Sequence, residues 1–364
     1  MEKSQFRKLG DGESKIKTSE VKQSLDRHEE VNLGRMYLKG EMAMTKFYFM
    51  VASLIFVISA AGTAMAQTIG YAEAIGQFAV ACGQDLDKFC KTTNLGGGRA
   101  QQCLDQNQAG VSASCKATIS ALRANLQKRA VARAAVLRVC DLDIKRLCAG
   151  IQQGDGNLME CFYKARRNMS AQCQRTVVDA GYDVSIGAAP PAGQIKLDAG
   201  DMVGALQGVD EAATSGISAA SLRQLAAKGI RDPSRTNRMN REPLSQQLGN
   251  LAQFTIAIQF DLGSARIRPD SFKAVGLLAD SMYHPYLQGY RILIVGHADA
   301  RGKRDDNLIL SQQRADAVRE ALINPFGISP ARIEAVGLGE EQLLNRSNPE
   351  AAENRRVQLI NIGK

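Results

Sequence analysis

The chain has 364 residues, of which 45% are hydrophobic and 23% charged, with a formal net charge of +9. That length allows two or three domains with sizeable cores, and 33 Gly with 9 Pro are too few for a collagenous or low-complexity chain. One unrepeated apolar run, no Trp and only 5% aromatic residues exclude a multi-span transporter and an aromatic-girdled barrel. The basic residues lack interleaved stacking aromatics, which argues against nucleic-acid binding and leaves a general attraction to anionic surfaces.

Residues 1–41 are polar and read as an over-long start or a disordered extension. Residues 42–66 read as a signal peptide: the apolar run FYFMVASLIFVISAAG follows Lys46 and ends at Ala64-Met65-Ala66, a small-x-small pair suited to cleavage. Gln67 follows the run where a lipoprotein would need Cys, so no lipid anchor is expected. The alternative is an uncleaved single-pass anchor, because about 20 uncharged residues can just span a bilayer.

All eight cysteines lie in 67–180, in two sets with one spacing: Cys82, Cys90, Cys103, Cys115, then Cys140, Cys148, Cys161, Cys173, at steps of 8, 13 and 12. Asp85 and Asp143, Lys88 and Arg146, Gly96 and Gly154, Gly98 and Gly156, and Ser112 and Ser170 recur at the same 58-residue offset, which marks an internal repeat. Each unit carries a Gly-rich stretch, NLGGGR or QQGDGN, between segments suited to helices and is expected to be a helical hairpin. In an exported chain such cysteines form disulfides. A zinc site is disfavoured, since there is no C-x-x-C and only His284 and His297 lie beyond the signal, both far from the repeats. A hairpin favours first-to-fourth and second-to-third pairing, although spacing alone leaves three connectivities per unit open. With its aspartate shortly after the first Cys and CL or CF at the third, the unit resembles the cysteine-rich repeat of Golgi cysteine-rich glycoproteins. That resemblance implies a binding or structural module, for which other envelope proteins are candidate partners.

Between the units, Lys116 to Val139 reads as one long helix. Ile119, Leu122, Leu126 and Val136 form its apolar set, and Arg123, Lys128, Arg129, Arg133 and Arg138 a solvated basic face. Residues 181–249, with GAAPPAG and RDPSRTNRMNREPLSQQ around one short helical pattern, read as a linker.

Residues 250–364 alternate strands with helices. FTIAIQF (254–260) is a half-buried strand and Pro269 to Met282 a helix; RILIVG (291–296) is a second strand. LSQQRADAVREALI (310–323) is a second helix with Ser311 as N-cap, followed by strands RIEAVG (332–337) and RVQLINI (356–362). The fold class is α+β: a C-terminal βαβαββ-type α/β sandwich with helices on one face of a mixed sheet, preceded by a disulfide-stapled all-α repeat region.

FDLGSARIRPD, VGHADARG, N-x-x-LSQQRADAV, AVGLGE and ENRRVQL together resemble the OmpA-like (OmpA/Pal/MotB) peptidoglycan-binding domain, over about 115 residues. The resemblance implies non-catalytic binding of peptidoglycan through the diaminopimelate of its stem peptides. It places the family's aspartate on Asp299 and its arginine on Arg314, with Asn307, Arg355 and Arg356 lining or bracing the pocket. Ala298 stands where many members have Thr. Elementary chemistry agrees: an amino-acid end carries an ammonium and a carboxylate, which a fixed carboxylate (Asp299) and a fixed guanidinium (Arg314) match. Gly296 and Gly302 would let the chain approach a ligand, and the helix N-terminus before Arg314 would add free N–H groups. His297 reads as a structural residue. No enzyme, cofactor, metal site or nucleic-acid partner is expected, since no Ser/His pair or isolated pair of tuned carboxylates occurs. The chain is thus expected in the periplasm, associated with the outer membrane or wall, tethering an envelope protein. The alternative is an inner-membrane-anchored, stator-like or scaffold protein gripping the wall through the same domain.

Overall fold

Why the repeats keep their spacing is visible in how each unit closes. In the computed structural model, which describes residues 68–152, 156–182, 199–207, 209 and 214–364, helix α1 (Tyr71–Phe89) turns through Gly97 and Gly98, both at positive φ, into α2 (Arg99–Gln106). Then α3 (Ala113–Val139) runs on to the second unit. There α4 (Asp141–Leu147), α5 (Asn157–Ala165) and α6 (Ala171–Asp179) repeat the pattern, with Gly156 taking the left-handed place of Gly98. Gly154, both segments before Thr68 and 183–198 of the expected linker lie outside the described residues. Cys82 pairs with Cys115, Cys90 with Cys103, Cys140 with Cys173 and Cys148 with Cys161.

The recurring Asp and Ser are one device used twice. Asp85 accepts from the Ser112 backbone N–H and hydroxyl, and Ser112 Oγ caps α3 at the Cys115 N–H. Asp143, Ser170 and Cys173 repeat it at the start of α6. Burial would raise the Asp143 carboxyl, but hydrogen bonds from Ser170 and Arg146 outweigh it and hold the group below its usual range. The cap therefore sets each third helix beside the Cys that staples it.

The C-terminal sheet has four strands, β1 (Gln253–Ile256), β2 (Ile292–Gly296), β3 (Ile333–Gly337) and β4 (Val357–Asn361), in the order β1-β4-β2-β3. β2 and β3 are parallel, and β4 runs antiparallel to both β1 and β2. Helices α9 (Phe272–Met282) and α10 (Arg304–Ile323) cover the face bearing Ile292, Ile294, Ile333 and Leu359. Among the described residues two further helices precede the sheet, α7 (Ala199–Leu206) and α8 (Ala219–Arg231).

Three expectations are corrected here. Helices do not lie on one face only: Ile217, Leu222 and Ala226 of the α8 segment, with Leu248 and Leu251, bury Leu293, Val295, Val336 and Ile360 on the opposite face. Where it is described, the expected linker is therefore part of the fold. α7 buries Met202, Val203 and Leu206 in the main core, and Asp232 to Glu242 strap onto the loop after β3. The physical reason is that β2 is buried on both sides and needs a second cover.

Second, the basic face of α3 is not wholly solvated. Arg129 is 2% exposed, with its guanidinium 3.9 Å from the Tyr71 ring centroid, and that of Arg133 stands 3.8 Å from the Tyr283 centroid while donating to both tyrosine hydroxyls. Cation–π contact and the chain carbonyls Ile69 O and Ala180 O replace water at these groups.

Third, α10 starts at Arg304, not at Leu310. Gly302, at φ +82, turns the chain, Lys303 is the N-cap, and Asp305 and Asp306 supply the acidic first turn that the helix dipole favours. Ser311 is an interior, buried residue whose hydroxyl donates to Leu308 O and accepts from Gly339 N.

The repeats are packed against the sheet domain, and the chain from Ala66 onward forms a single unit. α1 lies along α9 so closely that a Cβ on Gly276 would fall 2.5 Å from Ala72 Cα. Asp280 of α9 accepts from the free N–H groups of Tyr71 and Ala72 at the start of α1, both at 2.8 Å.

Candidate functional site

The topology gathers three loops at one end of the sheet. Parallel strands β2 and β3 both finish there and antiparallel β4 begins there, so Asp299, Glu340 and the Arg355–Arg356 pair, far apart in sequence, become neighbours. Gly296 and Gly337 make the assembly dense: Cβ atoms on them would meet Ser311 O at 2.3 Å and Gln312 N at 2.1 Å. Gly296 thus serves the approach of α10 and not, as its sequence position suggested, that of a ligand.

Asp299 is 6% exposed. Its Oδ2 accepts from Arg355 Nη1 at 2.5 Å and its Oδ1 from the Arg301 N–H at 3.2 Å. Asn307, in the first turn of α10, donates its amide to Asp299 O, Arg301 O and Glu340 Oε2. That side chain is spent on tying the Asp299 loop to the helix and to the loop after β3. Behind it, Glu340 and Glu341 are buried among Arg235, Arg238, Arg241 and Arg304. Three of these arginines come from the expected linker, a role that their local sequence does not signal.

Arg314 lies near the middle of α10, so its own backbone N–H is inside the helix ladder and the expected helix-terminus contribution is absent. Nε donates to Ser264 O at 3.0 Å, and the guanidinium carbon stands 5.0 Å from the Phe260 ring centroid. Among the described residues, its two terminal nitrogens have no hydrogen-bond acceptor. Burial lowers its pKa, the Arg355 charge adds to this and Asp299 opposes it. Arg314 and Asp299 do not form an ion pair with each other; Arg355 stands in that position beside Asp299.

A cleft of about 450 Å³ opens beside these groups, lined by Phe260, His297, Arg314, Arg355, Arg356 and, at its lip, the exposed Leu344. Asp299 is not among its lining residues. Arg356 donates to Gln342 O, leaves Nη1 buried without a partner, and is pushed down to about 10 by burial. His297 is buried, and its Nε2 meets Gln358 Oε1 at 3.0 Å. The Gln358 amide nitrogen is turned to Gln253 Oε1, which leaves its oxygen facing the His297 ring. Its pKa lies well below the usual value, first through burial and then through Arg356.

Electrostatically the cleft is a cationic recess with unused guanidinium donors, which suits a carboxylate. Among the described residues no group of His, Cys, Asp and Glu is placed to hold a metal ion.

Residues 259–356 match the model of the OmpA family. A peptidoglycan-associated lipoprotein of Pseudomonas putida is 34% identical over 118 residues, covering 32% of this chain and 68% of that protein. The chain belongs to the OmpA family. Outer membrane porin F of Pseudomonas fluorescens is 34% identical over 113 residues, 30% of this chain and 34% of the porin. Among solved structures, the peptidoglycan-associated lipoprotein of Burkholderia pseudomallei is 32% identical and covers 29% of this chain and 88% of that one, at a TM-score of 0.24. The first of these relatives is matched over about two thirds of its length and the porin over a third.

Sequence reading missed the backbone carbonyl of Ser264 and the Phe260 ring as the seat of Arg314. Both lie within FDLGSARIRPD, but a carbonyl leaves no residue-type signal.

Proposed function

We propose that this OmpA family chain binds peptidoglycan without catalysis and so ties an envelope protein to the wall, in the periplasm at the outer membrane. The ligand group is the diaminopimelate end of a stem peptide: its carboxylate meets the terminal nitrogens of Arg314, helped by Arg355, and its ammonium meets Asp299. Asn307 and Arg356 brace the walls. The single observation that carries the reading is that Arg314 is seated by Ser264 and Phe260 with its terminal donors unused on a cleft. Its relatives, among them a peptidoglycan-associated lipoprotein and an outer membrane porin, support it.

Asp299 enters already paired with Arg355, so an ammonium has to share the carboxylate. That points to modest single-site affinity, micromolar to millimolar after association costs. A polymer presenting many copies of the site makes this sufficient for a tether.

The test is sedimentation of the protein with insoluble diaminopimelate-type peptidoglycan, beside folded Asp299→Ala and Arg314→Ala variants. The reading expects only the unmodified protein to sediment. Equal sedimentation of all three would assign binding to general positive charge, and release of muropeptides would overturn the non-catalytic assignment.

A further inference from the structure

We propose that the first cysteine-rich unit is part of the wall-binding machinery: the turn closed by Cys90–Cys103 fixes the seat of Arg314, with Asn94 as the positioning residue. This rests on the peptidoglycan-binding reading above and extends it to a region outside the OmpA-like domain.

Arg314 is held by the turn 261–267, whose Ser264 carbonyl accepts from its Nε. The turn is closed by the Phe260–Ile267 bridge and by Asp261 N to Arg266 O, and Ser264 Oγ accepts from Arg266 N. It is also gripped from outside. Asn94 donates Nδ2 to Ala265 O at 2.7 Å and accepts from Ile267 N at 3.2 Å, bracketing the residues next to Ser264. Asp87 of α1 pairs with Arg266 at 2.7 Å, and Arg266 also holds Asp261.

The same short turn touches the helix that carries Arg314. A Cβ on Gly96 would fall 2.5 Å from Glu320 Cβ, and Arg99 forms an ion pair with Glu320. Both supports of Arg314, the turn and α10, are thus gripped by residues 94–99, which lie inside a 13-residue disulfide loop. A bridge that restricts this loop restricts the seat as well.

The second unit provides an internal control. Its counterpart of Asn94 is Gln152, an exposed residue, and its Gly156 abuts Gln288, which precedes β2 at the end of the sheet away from Asp299. Two copies of one module dock on one domain, and among the described residues only the first reaches the Arg314 seat.

The experiment measures calorimetric affinity of the whole protein for a soluble diaminopimelate-containing stem tetrapeptide, at a temperature where every variant is folded. Asn94→Ala is expected to weaken binding about tenfold and Gln152→Ala to leave it unchanged. In an Arg314→Ala background Asn94→Ala should cause no further loss, whereas a merely structural Asn94 would weaken both backgrounds alike. Should Asn94→Ala fail to fold, Asp87→Asn, at a half-exposed carboxylate, is expected to show the same dependence on Arg314 with a smaller loss. Full affinity in Asn94→Ala, or equal losses in both backgrounds, overturns the positioning role while leaving wall binding intact. Full affinity in Arg314→Ala overturns the wall-binding reading itself.

Discussion

Arg355 donates Nη1 to Asp299 Oδ2, so the carboxylate expected to meet a ligand ammonium is already neutralised within the protein. Among the described residues, the Arg314 guanidinium has spare donors: its one hydrogen bond, from Nε, goes to a backbone carbonyl. The two charges read as a matched pair are therefore unequal: Asp299 is paired within the fold, whereas Arg314 keeps its terminal donors unpaired among the described residues.

This asymmetry separates stability from binding. Arg314→Ala should weaken binding at least tenfold while lowering the melting temperature by no more than about 3 °C, since among the described residues its terminal nitrogens satisfy no acceptor. Asp299→Ala should lower both, because Arg355 and the Arg301 N–H lose their acceptor. Thermal melts beside peptide titrations distinguish the two, and a large stability loss in Arg314→Ala would contradict the unequal roles.

The buried glutamates behind Asn307 predict a different response. Arg241→Met removes a fully buried cation that faces both Glu340 and Glu341 and should cost about 3 kcal/mol in urea denaturation, since uncompensated buried charge is expensive. The same change in Arg268, whose ion pair with Asp270 is solvent-exposed, should cost under about 1 kcal/mol.

His297 sets a pH dependence. Burial and the neighbouring Arg356 depress its pKa in the folded state, so below about pH 6.5 the unfolded chain takes up a proton that the folded chain refuses. Stability then falls with falling pH, by up to about 1.4 kcal/mol per unit. His297→Asn should flatten that slope between pH 6.5 and 5 in denaturation curves taken across the range.

The second cover of the sheet predicts where the domain can be cut. A fragment starting at residue 250 leaves Leu293, Val295, Val336 and Ile360 without Ile217, Leu222, Ala226 and Leu248. Both this fragment and one starting at 214 lack α1 and α7, so their difference reports the α8 layer: the shorter should bind more hydrophobic dye and melt less cooperatively than the longer. Equal cooperative melts would show that the α8 layer is dispensable.

The bridges predict graded losses. Cys82→Ser with Cys115→Ser opens a link between residues 33 apart and should cost about 4 kcal/mol, against about 3 kcal/mol for the 13-residue Cys90–Cys103 link. Chemical denaturation of the two double variants checks the order.

Much of the architecture was legible locally. Equal cysteine intervals in Gly-interrupted helical sequence point to stapled units, and alternation between apolar strands and helical periods outlines the mixed sheet. One further signal was present and went unread: the unbroken ILIV run of β2 marks a strand buried on both faces, and so calls for a cover that the polar stretch before residue 250 supplies.

By itself the sequence determined the repeat, the order of strands and helices, and the residue types that mark an OmpA-like site. Those depend on spacing and periodicity within a few turns of chain. Packing in three dimensions is what lets Arg355 claim Asp299, turns Arg129 and Arg133 onto tyrosines, sets three linker arginines around two buried glutamates and places Asn94 under the turn beneath Arg314. Each of these is a choice among many arginines, carboxylates and carbonyls of identical local appearance. It is made by which of them the packed elements bring together out of water, where an unpaired charge or carbonyl is costly.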